Sequence, residues 1–128
     1  MKICVSAVSN SLEAQVDPRF GRCPYFVVVD SESMEFEALS NAASGAMGGA
    51  GIKAAEAVAS RGAQVVVTGN VGPNAFRSLF AAGIRIVTGA SGTVREAVEK
   101  YKRGELKEVS SATVGGHFGM GGRRGRRL

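Results

Sequence analysis

The sequence predicts an α/β protein: a mixed five-stranded sheet in the order 3-2-1-4-5, with strand 2 antiparallel to the rest and three helices packed against it. Three observations carry that expectation. Short apolar runs of strand length precede residue 40, and they alternate with helix-length patterns after it, giving the order βββαβαβα. Each helical pattern ends at a glycine, Gly62, Gly83 or Gly104, where a helix stop is expected. The first three strands are joined without helices and so pair as hairpins, whereas the last two follow helical crossovers and so run parallel.

Residues 2–8, KICVSAV, form the first strand, with Ile3, Val5 and Ala7 on one face and Cys4, Ser6 and Val8 on the other. Both faces are mostly apolar, which places it centrally. A long loop over 9–22 contains Asp17-Pro18-Arg19-Phe20-Gly21-Arg22 and leads to a second buried strand at 25–29, YFVVV. After a tight turn, residues 34–39 put Met34, Phe36 and Ala38 opposite Glu35 and Glu37, the pattern of a half-exposed edge strand.

Residues 44–53, SGAMGGAGIK, open the first helix, whose apolar face reads as Ile52, Ala55, Val58 and Ala59. A buried strand at 63–68 follows, and Gly72-Pro73 starts a second helix with Ala75, Phe76, Leu79 and Phe80 inward. The fifth strand, 84–88, runs through Gly89-Ala90-Ser91-Gly92 to a third helix. There Thr93 and Glu96 have capping-box spacing and Val94, Ala97, Val98 and Tyr101 face the core.

The 128 residues suffice for one domain with a real core, expected over 1–108, followed by a flexible glycine- and arginine-rich tail over 109–128. Apolar residues make up 45% of the chain, as in ordinary globular proteins. No apolar run is long enough for a membrane span or a secretory signal, so a cytoplasmic protein without membrane contact is expected. The cysteines Cys4 and Cys23 form no CxxC pair and read as free thiols. Of the formal charge of +5, all but one unit sits in Arg123, Arg124, Arg126 and Arg127. The basicity therefore belongs to the tail, and binding of nucleic acid or another polyanion through it is the alternative function, weighed against a plain solvated tail.

The glycine-dense loop at 44–53 suggests a nucleotide site, but its residues argue otherwise. The triphosphate loop GxxxxGK[ST] fails because Ile52 follows Gly51 and Ala54 follows Lys53. The dinucleotide fingerprint is nominally met by Gly49, Gly51 and Ala54, yet it lacks both a directly preceding strand and an acid near position 70. A nuclease would need acids within the core strands, and KICVSAV has none. The sole histidine, His117, lies in the tail, so no Ser–His–acid set can be argued and no catalysis is expected.

In the expected topology the loops after strands 1, 3, 4 and 5 share one sheet edge, and all three helices start there. Helix N-termini carry unpaired N–H groups and partial positive charge, so this rim suits an anion. Arg19 and Arg22 add charge. Cys23 and Met47 supply soft donors at the same edge, as iron–sulfur chemistry uses, although Cys23 also reads as a small packed residue and Cys4 as a core thiol. Met47 also reads as loop filler, His117 as a solvent-exposed side chain, and the glycine loops as tight connections.

Four motifs together carry a family resemblance: Asp17-Pro18-Arg19-Phe20-Gly21-Arg22 after the first strand, Gly48-Gly49-Ala50-Gly51 opening the first helix, Gly72-Pro73-Asn74-Ala75 opening the second, and Gly89-Ala90-Ser91-Gly92-Thr93-Val94 opening the third. Over about residues 1–108 the chain resembles the dinitrogenase iron–molybdenum cofactor biosynthesis family, in its small stand-alone archaeal and bacterial form. The resemblance implies a ribonuclease H-like motif and a non-enzymatic carrier of an iron–sulfur or iron–molybdenum-type cluster, acting in metallocofactor biosynthesis, storage or delivery. It also implies a protein that donates or accepts the cluster. The expected binding residues are Arg19, Arg22, Cys23, Gly48, Gly49, Gly51, Asn70, Gly72 and Gly92, with Cys23 and His117 as metal ligands. Such clusters are anionic, in agreement with the rim.

Overall fold

A computed structural model of the chain describes residues 1–42, 45 and 48–113. Five strands, β1 (Lys2–Ala7), β2 (Tyr25–Asp30), β3 (Phe36–Ser40), β4 (Val65–Val67) and β5 (Arg85–Val87), form one sheet in the order β3-β2-β1-β4-β5. Only β2 runs against the others: it is antiparallel to β1 and β3, while β1, β4 and β5 are parallel neighbours. The helices are α1 (Ala50–Ser60), α2 (Pro73–Ala81) and α3 (Val94–Lys102). Element order, strand order and strand directions all match the sequence-based expectation.

Strand alternation sends side chains of β1 to two separate cores. Ile3, Val5 and Ala7 pack with Val27, Val65 and Val67 beneath Val94, Ala97 and Val98 of α3. Cys4 faces the other way, with Phe26, Val28 and Val66, under Ala54, Ala55 and Val58 of α1 and Ala75 and Leu79 of α2. The result is a three-layer sandwich with α1 and α2 on one face and α3 on the other.

Two inward assignments need correction. Ile52 is exposed, because α1 buries Ala50, Ala54, Ala55 and Val58, and Ile52 lies off that stripe. Phe80 is 69% exposed, because α2 is anchored by Ala75 and Leu79. Its ring instead stacks on Phe76 one turn earlier, with centroids 5.8 Å apart. The segment after Glu108 stays on the domain as far as Thr113: the Val109 N–H donates to the Ile86 carbonyl at 2.8 Å. Among the described residues, no helix is long and apolar enough to cross a membrane.

Candidate anion cleft at the carboxyl edge of the sheet

The loop after β1 is tied down from within. Asp17 is buried, and its Oδ1 accepts the Arg19 backbone N–H at 2.9 Å and Nε at 3.1 Å, while Oδ2 accepts Nη2 at 3.0 Å. Burial pushes the Asp17 carboxyl up, but the hydrogen bonds and charge of Arg19 outweigh it and hold the group below its ordinary value. Arg19 itself is 64% exposed, so the buried carboxylate orients a guanidinium that still reaches solvent.

The same loop is stitched to the turn after β4. Asn70 N–H donates to the Pro18 carbonyl at 2.8 Å, and Phe20 N–H to the Asn70 carbonyl at 3.3 Å. The approach is so close that a Cβ on Gly69 would lie 2.6 Å from Pro18 Cα. Asn41 fastens the other end, its amide donating to the carbonyls of Gly21 at 3.1 Å and Cys23 at 2.8 Å.

Small residues then draw the starts of α1 and α2 together. A Cβ on Gly51 would meet Ala75 Cβ at 3.0 Å, and one on Gly21 would meet Gly51 Cα at 3.1 Å. Between these three backbones opens a cleft of about 420 Å3, bordered by Arg19, Arg22, Gly49, Gly51, Asn70, Gly72 and Asn74.

The helix starts differ in a way that selects this cleft. Among the described residues, α1 and α2 begin at Gly49 and Gly72 with no side-chain cap and no acidic residue in the first turn. Their leading N–H groups precede the first intrahelical bonds, Lys53 to Gly49 and Phe76 to Gly72, and point outward with the positive end of the dipole. α3 satisfies itself: Thr93 and Glu96 close the expected capping box at 3.1 and 2.8 Å, and Glu96 supplies the negative charge.

Six expected binding residues thus line one cleft: Arg19, Arg22, Gly49, Gly51, Asn70 and Gly72. Three do not. Gly92 starts the helix on the opposite face, where its carbonyl accepts from Val16. Gly48 precedes the α1 cap and is not on the cleft wall. Cys23 lies wholly buried in the core with Phe20, its Sγ donating to the Phe20 carbonyl at 3.1 Å. Burial, then the nearby Asp17 charge, pushes its thiol up to about 12, so it is protonated and shielded from the cleft. Cys4 is likewise buried and its thiol raised by burial. Met47, His117 and the arginines Arg123, Arg124, Arg126 and Arg127 lie outside the described residues.

Asp17, Asn41 and Asn74 were not among the expected site residues. The motif DPRFGR contains Asp17, and an acid two residues before an arginine can signal such an internal bidentate pair. Nothing local in the sequence marks Asn41, whose partners lie 18 and 20 residues away.

Fold and cleft together define a small three-layer α/β protein that presents two open helix N-termini and arginine to one ligand-sized recess. The chain belongs to the dinitrogenase iron–molybdenum cofactor family, whose pattern it matches over residues 1–104. It is similar to the apo form of the orange protein from Desulfovibrio gigas, at 42% identity and a TM-score of 0.86 over 88% of this chain and 96% of that one. It is also similar to a Thermotoga protein of the DUF35 family, provisionally named NifB, at 34% identity and a TM-score of 0.78 over 88% and 97% of the two chains. A Methanocaldococcus jannaschii protein named only as uncharacterized is 29% identical over 111 residues, 84% of this chain and 91% of its own.

Proposed function

We propose that the protein is a non-enzymatic carrier of an anionic metal–sulfur cluster, of iron–sulfur or iron–molybdenum type, in metallocofactor biosynthesis, storage or delivery. The observation that carries this reading is the convergence of two uncapped, acid-free helix N-termini with Arg19 and Arg22 on one cleft. The family and the apo state in which the Desulfovibrio relative was solved agree with a removable cargo.

The donor set fits such a cargo as an anion and not as a bare metal ion. The cleft offers backbone N–H groups, guanidinium and the amides of Asn70 and Asn74, all hydrogen-bond donors for sulfide or oxo edges. Among the described residues no three His, Cys, Asp or Glu side chains group to hold a metal. In this reading the cleft holds the cluster by charge and hydrogen bonds, so a partner protein takes it without breaking a metal bond to a cleft side chain. Of the two expected metal ligands, Cys23 is buried in the core and His117 lies outside the described residues.

Anaerobic reconstitution with iron, molybdate and sulfide, followed by metal analysis, tests the proposal. Wild type and Cys23→Ser are expected to retain similar metal after desalting, and Arg19→Glu to retain several-fold less. Equal metal in the Arg19→Glu protein, or none in any of the three, refutes it.

A further inference from the structure

Past α3 the chain crosses to the turn that carries one wall of the cleft. Leu106 packs on the α3 side of the sheet, Glu108 bridges to Val87 on the outer edge of β5, and Val109 packs on the α1/α2 side. Thr113 then clasps Val71: its N–H donates to the Val71 carbonyl at 2.9 Å, and its hydroxyl accepts the Val71 N–H at 2.8 Å and donates to the same carbonyl at 3.2 Å. Val71 is buried between Asn70 and Gly72, and both neighbours line the cleft, whereas Thr113 lies off its wall. The family pattern stops at residue 104, so this strap over 105–113 lies outside it.

A planar trans peptide points its N–H and its carbonyl in opposite directions. By holding the Val71 N–H, Thr113 turns the Asn70 carbonyl the other way, where it accepts the Phe20 N–H at 3.3 Å. By holding the Val71 carbonyl, it turns the Gly72 N–H away from itself. The start of α3 shows what such a group can do: the N–H of its cap residue, Thr93, donates to the Glu96 carboxylate at 2.8 Å. In α2 the position of Glu96 is taken by Ala75, and among the described residues the Gly72 N–H has no acceptor.

Resting on the carrier reading above, we propose that Thr113 is a positioning residue of the cleft: it sets the peptide planes on both sides of Val71 and so holds the Gly72 N–H toward the anion. Thr113 touches no ligand in this role and acts through Gly72. Without its hydroxyl the Val71 N–H loses its acceptor and the Val71 carbonyl keeps one donor in place of two, so both planes are free to tilt. The donor that completes the α2 side of the cleft then loses its aim, while the start of α1 is untouched.

Equilibrium dialysis of the full chain against the tetrathiomolybdate dianion, read by molybdenum analysis and paired with 15N amide shifts, tests the proposal. Thr113→Val is expected to bind about tenfold more weakly than wild type. It is also expected to lose the saturable Gly72 shift of the wild type, while the shifts at Gly49, Ala50 and Gly51 persist. Thr113→Ser keeps the hydroxyl and is expected to bind within about twofold of wild type. Thr93→Ala removes a cap on the far side of the sheet and is expected to bind as wild type does. If it loses as much affinity as Thr113→Val, general destabilisation is the cause and the proposal fails. Unchanged affinity in Thr113→Val, or an equal loss in Thr113→Ser, with Arg19→Glu still weakened, overturns the role of Thr113 and leaves the cleft standing. Absence of binding by the wild type overturns both.

Discussion

Asp17 and Cys23 decide the chemistry of the cleft at the scale of single residues. Asp17 spends a buried carboxylate on aiming Arg19. A carboxyl held below its ordinary value in the folded state contributes stability above about pH 4 and loses it as pH falls through the lower folded value. Asp17→Asn is therefore expected to cost about 1–3 kcal/mol in urea unfolding at neutral pH, with the gap to wild type closing below about pH 4. A gap that stays constant down to pH 3 would show that the ion pair is not its cause. Cys23, with its thiol near 12 and no exposed surface, is expected to resist alkylation at pH 8 in the native protein and to react in urea. Rapid labelling of one thiol under native conditions would contradict the buried site. The sequence located both residues at the right sheet edge. For Cys23 it offered both a rim ligand and a small packed residue, and the turn in which the Arg22 and Cys23 N–H groups donate to the Arg19 carbonyl leads to the packed one.

At the scale of elements, the three helices are built alike but end differently. The capping box of α3 was legible because Thr93 and Glu96 are only three residues apart, and such contacts are local. Thr93→Ala is expected to cost about 1 kcal/mol, measured by thermal or urea unfolding, without altering metal retention. The faces of α1 and α2 were less legible. Ile52 and Phe80 look like core residues by periodicity, yet the helices meet through Gly51 and Ala75, and this small-residue contact sets their rotation. Gly51→Val is expected to force the two N-termini apart, lowering stability by about 1–3 kcal/mol and reducing metal retention together. Retention unchanged despite the loss of stability would argue that the spacing of the two helix starts is immaterial to binding.

At the scale of the molecule, the sheet order followed from hairpins before residue 40 and crossovers after it, and both are topological rules that need no side-chain detail. What those rules leave open is the face. Four loops leave one edge of the sheet, but right-handed crossovers put α1 and α2 on one side while α3, which follows the last strand, packs on the other, so Gly92 is separated from the cleft by the sheet itself. The route of the chain past Glu108 was equally hidden, since Val109 and Thr113 are held by partners 23 and 42 residues away rather than by local pattern. This route brings the described chain, at Thr113, against Val71 beside the cleft wall.

The central claim is that the amides opening α1 and α2 receive an anion. Amide chemical shifts recorded while the 15N-labelled protein is titrated with tetrathiomolybdate test it most directly. The account predicts the largest saturable shifts at Gly49, Ala50, Gly51 and Ile52 and at Asn74, Ala75 and Phe76, with the α3 start at Val94–Glu96 little changed. Shifts centred on α3 or scattered over the surface, or no saturable shift at either open helix start, would contradict it.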